Sequence, residues 1–470
     1  MTLENRLPEP TTVHWHGVPV PNAMGGVPGV TQPAGRKAKD PTIGLRALGS
    51  SKPLRIFSLL LLLTLLIPSS VTGASASRGA AAQQSEPLSP GEALTVYLMT
   101  VGPGNRIWQK FGHNAIVIRD AAAGSATAYN WGVFSFEQQD FMQRFILGRM
   151  RYIMAAQDAD SLLRSYVADD RSVWLQELRL TPDQRAELQA FVEWKARPEN
   201  RAYAYDYYRD NCSTRVRDVL DAVLGGEIRA ATIDVPAGAT YRAHTRRLLQ
   251  RRLYAYASTL LALGQPVDRP ITRWEEMFLP LELRDLIRSV RVPGPEGEPV
   301  PFLASEREVF LADRPPLPDR VPSFFFGFLL TGMAVGSLLA GLGWWARGGP
   351  RGARWGLFVA GGTWSLIAGL AGIGIALLWA LTDHTAAYHN ENLLQVFPIV
   401  SLLVVLLPLS GVSGRAATAA RWTAAATAGA AALGLVCQAL PAFDQVNGSI
   451  IALCLPAHGG LAVGVWQALD

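Results

Sequence analysis

Cys212 occupies a position typical of a thiol nucleophile in this 470-residue chain. It follows Asp210 and Asn211, and the apolar residues after it recur every three or four positions as far as Gly225. This spacing predicts a helix that begins at Cys212. The free N–H groups and the positive dipole end of a helix N-terminus favour thiolate over thiol, so we expect the pKa of Cys212 to lie below the ~8.5 of a free cysteine.

A base for this thiol is predicted on a strand. Residues 111–118 and 126–136 have strand patterns and are separated by small residues. If they pair as an antiparallel hairpin, His113 lies close to Asn130 or Gly132 on the neighbouring strand. His113 would then take the thiol proton, and Asn130 would orient the imidazole.

The same two side chains also have a purely structural interpretation. Unpaired cysteines are among the most buried residue types, so Cys212 could be an inert core thiol. His113 could equally be a strand histidine whose hydrogen bonds are satisfied within a core. The chemical interpretation has one further element, because the first N–H groups of the Cys212 helix can donate to an oxyanion.

A secretory signal is predicted over residues 51–83, including a short linker. Lys52 and Arg55 precede the apolar stretch 56–67, which is too short to span a bilayer and is followed by small residues. The soluble region that follows contains one cysteine, Cys212, and therefore cannot form an internal disulfide, since Cys437 and Cys454 lie in later apolar segments. A lone thiol in an oxidising space suggests a functional use.

The segment before this signal has a different character. Residues 5–32 resemble the first copper-binding segment of the multicopper oxidases, in which a His-x-His-Gly pair, here His14 and His16, ligates copper. Such a centre needs further histidine clusters, yet the chain has seven histidines and no other pair so closely spaced. We therefore interpret residues 1–50 as a misassigned start or a fused extension, and we predict no metal site and no cofactor.

Composition divides the exported chain into two parts. Residues 84–291 contain most of the charges and mix strand and helix patterns, which predicts an α+β domain. A Pro-rich linker at 292–321 leads to an apolar region, 322–470, with five stretches near the ~20 residues that cross a bilayer. The predicted transmembrane helices lie near 322–345, 355–382, 393–410, 421–440 and 447–466.

The charges of the short loops predict the orientation in the membrane. Arg347, Arg351 and Arg415 lie in two loops, whereas Asp383 and Asp444 lie in the others. By the positive-inside rule, the α+β domain lies outside the cytoplasm. The formal net charge of +5 adds little, and no nucleic-acid partner is predicted.

Several motifs resemble a known family. A strand histidine that precedes the cysteine helix is the chain order of the circularly permuted papain-like (NlpC-like) enzymes, which include lecithin:retinol acyltransferase. More closely, the chain resembles the Lnb-type bacterial lipoprotein N-acyltransferases. The matching segments are Phe111-Gly-His-Asn-Ala115, Tyr129-Asn-Trp-Gly132, Asp210-Asn-Cys-Ser-Thr-Arg-Val-Arg-Asp218, Gly264-Gln-Pro-Val-Asp-Arg-Pro270, Trp274-Glu-Glu-Met-Phe-Leu-Pro280, Thr382-Asp-His384 and Asn390-Glu-Asn-Leu-Leu394.

This resemblance implies an activity and a location. The expected enzyme transfers an acyl chain from a phospholipid, by way of a thioester on Cys212, to the N-terminal amine of a diacylated lipoprotein. The expected location is the bacterial inner membrane, crossed several times, with the catalytic domain in the periplasm. The resemblance makes Cys212 the nucleophile and His113 the base, and we expect the substrate site to be lined by Tyr208, Asp210, Asn211, Asp383 and His384.

Two other functions remain open from the sequence. A cysteine amidase or peptidase acting on peptidoglycan would use the same two catalytic groups, although five membrane helices exceed its needs. A non-enzymatic envelope protein would carry Cys212 as a core residue only.

Overall fold

An antiparallel sheet organises the first half of the computed structural model, which describes residues 90–294, 297–347, 349 and 351–470. The strands of these described ranges are β1 (Leu94–Val101), β2 (His113–Asp120), β3 (Ser125–Val133), β4 (Arg151–Asp158), β5 (Val173–Leu178), β6 (Ala202–Ala204), β7 (Pro236–Thr240), β8 (Pro270–Thr272), β9 (Arg291–Pro293), β10 (Pro299–Pro301) and β11 (Leu303–Phe310). Seven of them form the main sheet in the order β11-β5-β1-β2-β3-β4-β6. The predicted extension at 1–50, with His14 and His16, and the predicted signal at 51–83 lie outside the described residues.

Helices cover the sheet and form the C-terminal region. Those of the sheet domain are α1 (Phe141–Ile146), α2 (Ala159–Ala168), α3 (Pro182–Ala196), α4 (Cys212–Val223), α5 (Glu227–Thr232), α6 (Tyr241–Leu249), α7 (Leu253–Ala262), α8 (Arg273–Glu276) and α9 (Pro280–Ile287). Those of the C-terminal region are α10 (Phe325–Ala346), α11 (Arg351–Leu381), α12 (Leu403–Leu409), α13 (Gly414–Cys437) and α14 (Gly448–Leu469). The predicted α+β domain followed by a helical region is confirmed.

Strand β1 is an interior strand of the sheet, between β5 and β2, and has buried residues on both faces. Val96 and Leu98 belong to a core shared with α3 and α4, whereas Met99 and Val101 belong to a second core shared with α2. A strand covered on both faces has an unbroken apolar sequence instead of an alternating one. The mostly apolar sequence of Leu94–Val101 is therefore typical of an interior strand.

The predicted Pro-rich linker at 292–321 contains regular structure and is corrected accordingly. Strand β11 pairs antiparallel with β5 and forms one edge of the main sheet. The sequence did not predict this strand because Glu306 and Arg307 interrupt its apolar pattern. Charged side chains are common on the solvent side of an edge strand. Arg288 of the sheet domain pairs with Glu306 at 2.7 Å. The sheet domain therefore extends beyond 291 to about residue 310.

Four helical segments of the described chain are long and apolar enough to cross a membrane by length and composition: Phe325–Ala346, Arg351–Leu381, Glu391–Leu409 and Gly448–Leu469. The third is interrupted, because short 3₁₀ turns at Glu391–Leu394 and Pro398–Leu402 precede α12. Proline has no N–H to donate, so Pro398 begins a new turn instead of continuing a helix. The continuous helix predicted at 393–410 is therefore only partly correct.

The segment predicted near 421–440 is a helix, α13, but its alanine- and threonine-rich sequence leaves it outside this set of four. Its two ends have different neighbours. At one end Gln438 donates to the Glu391 carboxylate at 2.6 Å, close to the sheet domain. Near the other end Arg421 pairs with Asp470, the last residue, at 3.2 Å.

Candidate active site

Helix α4 begins at Cys212, as predicted, because Asn211 caps it. The Asn211 side-chain oxygen accepts hydrogen bonds from the N–H groups of Ser213 (2.8 Å) and Thr214 (2.9 Å). Its amide nitrogen donates to the carbonyls of Tyr207 and Phe278. Such a cap satisfies two of the N–H groups that every helix N-terminus leaves free. The Ser213 and Thr214 N–H groups are therefore engaged, which leaves the Cys212 N–H as the candidate oxyanion donor.

His113 and Asn130 meet across the β2–β3 hairpin, which confirms the predicted pairing. Ala115 pairs with Asn130 in the strand register, and His113 Nε2 lies 3.1 Å from Asn130 Oδ1. An amide oxygen only accepts hydrogen bonds, so His113 donates from Nε2. Its other ring nitrogen, Nδ1, then carries a lone pair and can accept a proton.

A bulge in β3 brings the cysteine against this hairpin. The register between β3 and β4 shifts between Asn130 and Val133, and Gly132 there has φ +85°. A Cβ on Gly132 would lie 3.3 Å from the Cys212 Cβ. The positive φ therefore favours glycine here, and the close approach of α4 leaves little room for a side chain.

Polar contacts fix the start of α4 on strand β2. The Ser213 hydroxyl lies 2.8 Å from Asn114 Oδ1, and the Asn114 side chain in turn donates to Thr100 Oγ1 at 2.8 Å. The backbone N–H of Asn114, the residue after His113, donates to the Cys212 sulfur. The nucleophile predicted on a helix and the base predicted on a strand therefore belong to one site.

The pKa of Cys212 is raised by burial, which reverses the expectation from its helix position. The Asn114 N–H and the charge of Arg171 lower this pKa in part, without offsetting burial. Burial also lowers the pKa of His113 to about 4, with a further contribution from Arg171, although the bond to Asn130 opposes the shift. At neutral pH the pair is therefore a thiol and a neutral imidazole, not a thiolate and an imidazolium.

Arg171 is a feature of the site that the sequence did not indicate. It lies between α2 and β5, is 4% exposed, and donates from Nε to the Gly102 carbonyl at 2.9 Å. Its guanidinium stands 5.1 Å from the ring centroid of Tyr166, whose ring lies 6.1 Å from that of His113. Arg171 Nη2 is buried and has no hydrogen-bond partner among the described residues. A free donor on a buried cation is suited to developing negative charge.

Three residues predicted to line the substrate site use their side chains for contacts within the protein. Asn211 is 5% exposed and its side chain is committed to the cap and two carbonyls. Asp210 pairs with Arg215 through both carboxylate oxygens. Tyr208 is buried, and its hydroxyl lies 2.9 Å from Thr245 Oγ1. Their contacts shape the loop before Cys212 and leave little free hydrogen-bonding capacity for a ligand.

Asp383 and His384, the other two predicted substrate residues, join the membrane helices to the sheet domain. The Asp383 carboxylate pairs with Arg149 at 2.8 Å, and its N–H donates to the Leu147 carbonyl at 2.8 Å. His384 Nε2 donates to the Phe145 carbonyl at 2.9 Å. Both residues therefore hold the segment around α1 at the end of α11.

A histidine and two glutamates, His244, Glu276 and Glu282, cluster elsewhere in the sheet domain with ligand atoms within 4.8 Å of one another. Arginines already neutralise the two carboxylates, since Arg273 pairs with Glu276 at 2.7 Å and Arg247 with Glu282 at 3.5 Å. This charge pattern is typical of an ion-pair network and does not suit a cation.

The raised pKa of Cys212 predicts slow alkylation of this thiol at neutral pH. At pH 7, iodoacetamide should modify Cys212 more slowly than a free cysteine in a peptide, and the rate should keep rising above pH 9 because only thiolate reacts. Mass spectrometry of the Cys212 peptide separates it from Cys437 and Cys454. Arg171→Gln should slow the reaction further. A rate that is already constant below pH 7.5 would contradict this assignment.

Comparison with known families agrees with the geometry. Residues 87–251 match the model described as the Lnb N-terminal periplasmic domain, and residues 1–42 match one described as multicopper oxidase. Searches of curated proteins and of solved structures gave no match. The Lnb match includes His113, Asn130 and Cys212 and extends through α6. The resemblance seen in the sequence is confirmed: residues 87–251 are similar to the Lnb N-terminal periplasmic domain, and they precede four segments that are long and apolar enough to cross a membrane.

Proposed function

We propose that this protein is a membrane-bound thiol acyltransferase. It moves an acyl chain from a phospholipid, through a thioester on Cys212, to the N-terminal amine of a diacylated lipoprotein. One observation carries the proposal. His113 is hydrogen-bonded to Asn130, and the backbone N–H of Asn114, the residue after His113, donates to the Cys212 sulfur. Supporting it are the Lnb match over this domain and the apolar helices that follow it.

The first half-reaction transfers the acyl group to the enzyme. His113 Nδ1 takes the proton of the Cys212 thiol while the sulfur attacks the ester carbonyl of the phospholipid. The carbonyl oxygen becomes an oxyanion, which the Cys212 N–H stabilises. The C–O bond then breaks, His113 returns its proton to the leaving alkoxide, and a lysophospholipid departs from the thioester.

The second half-reaction transfers the acyl group to the lipoprotein. The free α-amine attacks the thioester carbonyl and loses a proton to His113. The C–S bond breaks, the amide forms, and the thiolate recovers the proton. Because both steps begin from neutral groups, His113 must accept a proton in each, and its low pKa keeps it available as a base at neutral pH.

Arg171 has a supporting role in this mechanism. Negative charge appears on the sulfur and then on the oxyanion, in a site where burial disfavours charge. The buried guanidinium, with Nη2 free, supplies a compensating positive charge without donating a proton to the chemistry.

The proposal extends to fold and location. A histidine strand followed by a cysteine helix is the order of the permuted papain-like fold, which we assign to the sheet domain. The sheet domain lies in the periplasm, and the helical region lies in the inner membrane. We further propose that α13 is a fifth crossing, since its 24 residues extend about 36 Å, more than the ~30 Å hydrocarbon thickness.

Substitution of the two catalytic groups tests the proposed function. Cys212→Ala and His113→Ala should each reduce conversion of diacylated to triacylated lipoprotein by about 10³-fold or more, and the double variant should be little worse because the two groups act as a unit. Asn130→Ala should cause a smaller loss. The measurement is turnover by the purified full-length protein with phospholipid and a diacylated lipopeptide.

Cys437→Ala is the matched control, because it removes a buried cysteine that lies outside the sheet domain. It should keep wild-type turnover. All variants should retain the wild-type unfolding temperature within a few degrees. If Cys212→Ala still produced triacylated lipopeptide, the mechanism would be wrong. If the wild type, but not Cys212→Ala, cleaved peptidoglycan peptides, the amidase function would be favoured.

A reporter at the C-terminus tests the number of crossings. With five crossings and a periplasmic sheet domain, Asp470 lies in the cytoplasm, so a fused green fluorescent protein should fluoresce and a fused alkaline phosphatase should be inactive. With four crossings the two readouts reverse. A phosphatase fused after Tyr388 is the control and should be active in both cases.

A further inference from the structure

Three cations lie together where the sheet domain meets the C-terminal helices. We call them the basic cluster: Lys110, Arg251 and Arg252. The two arginines are exposed in the turn between α6 and α7, and Lys110 lies in the loop before β2. Phe111, next to Lys110, lines a small cavity with residues of α6, which brings this loop beside the turn. Burial lowers the pKa of Lys110, and the charges of Arg252, Arg314 and Arg251 lower it further. The cations therefore lie close enough to repel one another.

No carboxylate of the described residues neutralises the basic cluster. The neighbouring Arg314 pairs with Asp170 at 3.2 Å, whereas the three cluster cations form no ion pair in the described part of the chain. Lys110 donates to one backbone carbonyl at 2.7 Å and Arg251 to another at 3.2 Å. The Arg252 side chain has no hydrogen bond within the same residues. A carbonyl accepts a hydrogen bond without cancelling the charge of the donor, so the cluster retains a positive potential that attracts an anion.

Helix α7 places the cluster at one end of the helical region. Tyr256 of α7 shares an apolar core with Ile375 of α11 and Ile450 of α14. Its ring centroid lies 5.0 Å from that of Phe324, the residue before α10. These neighbours lie near the start of α10, the start of α14 and the last turns of α11. The turn that carries the two arginines therefore lies where these membrane-length segments begin and end.

The first two residues of α7 are exposed and apolar. Leu253 is 58% exposed and Tyr254 is 62% exposed. The helix itself is apolar and has 10 residues, or about 15 Å, which is half of the ~30 Å hydrocarbon thickness. A short apolar helix that directly follows cations is typical of a segment in the membrane interface, with cations at the phosphate level and apolar side chains below it. A soluble anion would leave Leu253 and Tyr254 exposed to water, whereas a lipid covers them.

We propose that the basic cluster, together with Leu253 and Tyr254, binds the phosphate group of a bilayer phospholipid in the leaflet on the side of the sheet domain. The cations hold the phosphate, and the two apolar side chains contact the glycerol and the first part of the acyl chains. Lys110 precedes His113 by three residues, so their Cα atoms are at most about 11 Å apart. A phosphate bound at the cluster thus holds a lipid near the cysteine site. Its role as acyl donor rests on the proposed acyl transfer, whereas lipid binding does not.

Photocrosslinking tests the binding. The full-length protein is placed in phosphatidylcholine nanodiscs with a trace of phosphatidylglycerol that carries a diazirine on its headgroup. After irradiation, the adducts are mapped by mass spectrometry and are expected within residues 107–112 and 250–254. The triple variant Lys110→Gln, Arg251→Gln, Arg252→Gln should reduce them several-fold, because each lysine or arginine near the surface adds attraction for an anionic lipid.

Arg119→Gln, Arg307→Gln is the matched control. Both arginines are exposed in the sheet domain and, like the cluster, form no ion pair in the described part of the chain. Arg119 lies six residues along β2 from His113, or about 20 Å away. This control should keep the wild-type adduct yield. Should the triple variant fail to fold, Arg252→Gln alone removes a side chain without hydrogen bonds and should still lower the yield.

The outcomes separate this inference from the proposed function. Equal yields in the cluster variants and the matched control, or adducts confined to α10–α14, would overturn the lipid site. Suppression of the adducts by soluble glycerol phosphate would assign the cluster to a soluble ligand and would also overturn it. Adducts at the cluster in a protein whose Cys212→Ala variant kept full turnover would refute the thioester mechanism and leave the lipid site standing.

Discussion

The rest of the site depends on one constraint, the packing of the α4 N-terminus against the β2–β3 hairpin. Asn211 caps the helix, and Ser213 bonds to Asn114, the neighbour of His113. Strand β3 bulges at Gly132, where a Cβ would lie 3.3 Å from the Cys212 Cβ, so the bulge leaves little room for a side chain between β3 and α4. The side chains of Asn211, Ser213 and Asn114 are all hydrogen-bonded within the domain, so the fold fixes the positions of the thiol and the imidazole.

Burial determines the charge states of Cys212 and His113. A helix dipole favours an anion by about 0.3–1 kcal/mol, whereas removing a charge from water costs several kcal/mol. Burial therefore prevails, and both Cys212 and His113 rest uncharged. This arrangement suits the proposed acyl transfer, because a poorly hydrated thioester would be protected from hydrolysis until an amine arrives. In the proposed mechanism, nearby groups such as Arg171 would stabilise the negative charge that forms during the reaction.

Local patterns predicted the parts of the site that depend on local structure. The apolar stripe after Cys212 predicts where α4 begins, and the small residues between two strand patterns predict the hairpin that pairs His113 with Asn130. Strand β11 was missed because an edge strand carries charges on its solvent face. The interruption at Pro398 was missed because composition alone suggested one apolar helix.

Other features depend on contacts between distant residues, which no local pattern contains. Arg171 approaches the site from the turn before β5, and its burial follows from the packing of α2 on the sheet. The upward shift of the Cys212 pKa likewise depends on how deeply the assembled domain buries the thiol. Asp383 and His384 were identified by motif, yet their roles became visible only when α1 and α11 were seen in contact.

Intact-protein mass spectrometry tests the central claim most directly. The purified wild-type protein, incubated with a phospholipid of defined chains and no acceptor, should gain the mass of one acyl group, and digestion should place this group on the Cys212 peptide. Neutral hydroxylamine should remove it, as it does a thioester, and a diacylated lipopeptide should discharge it with formation of the amide. A stable absence of the adduct in a preparation that still triacylates the lipopeptide would contradict the account.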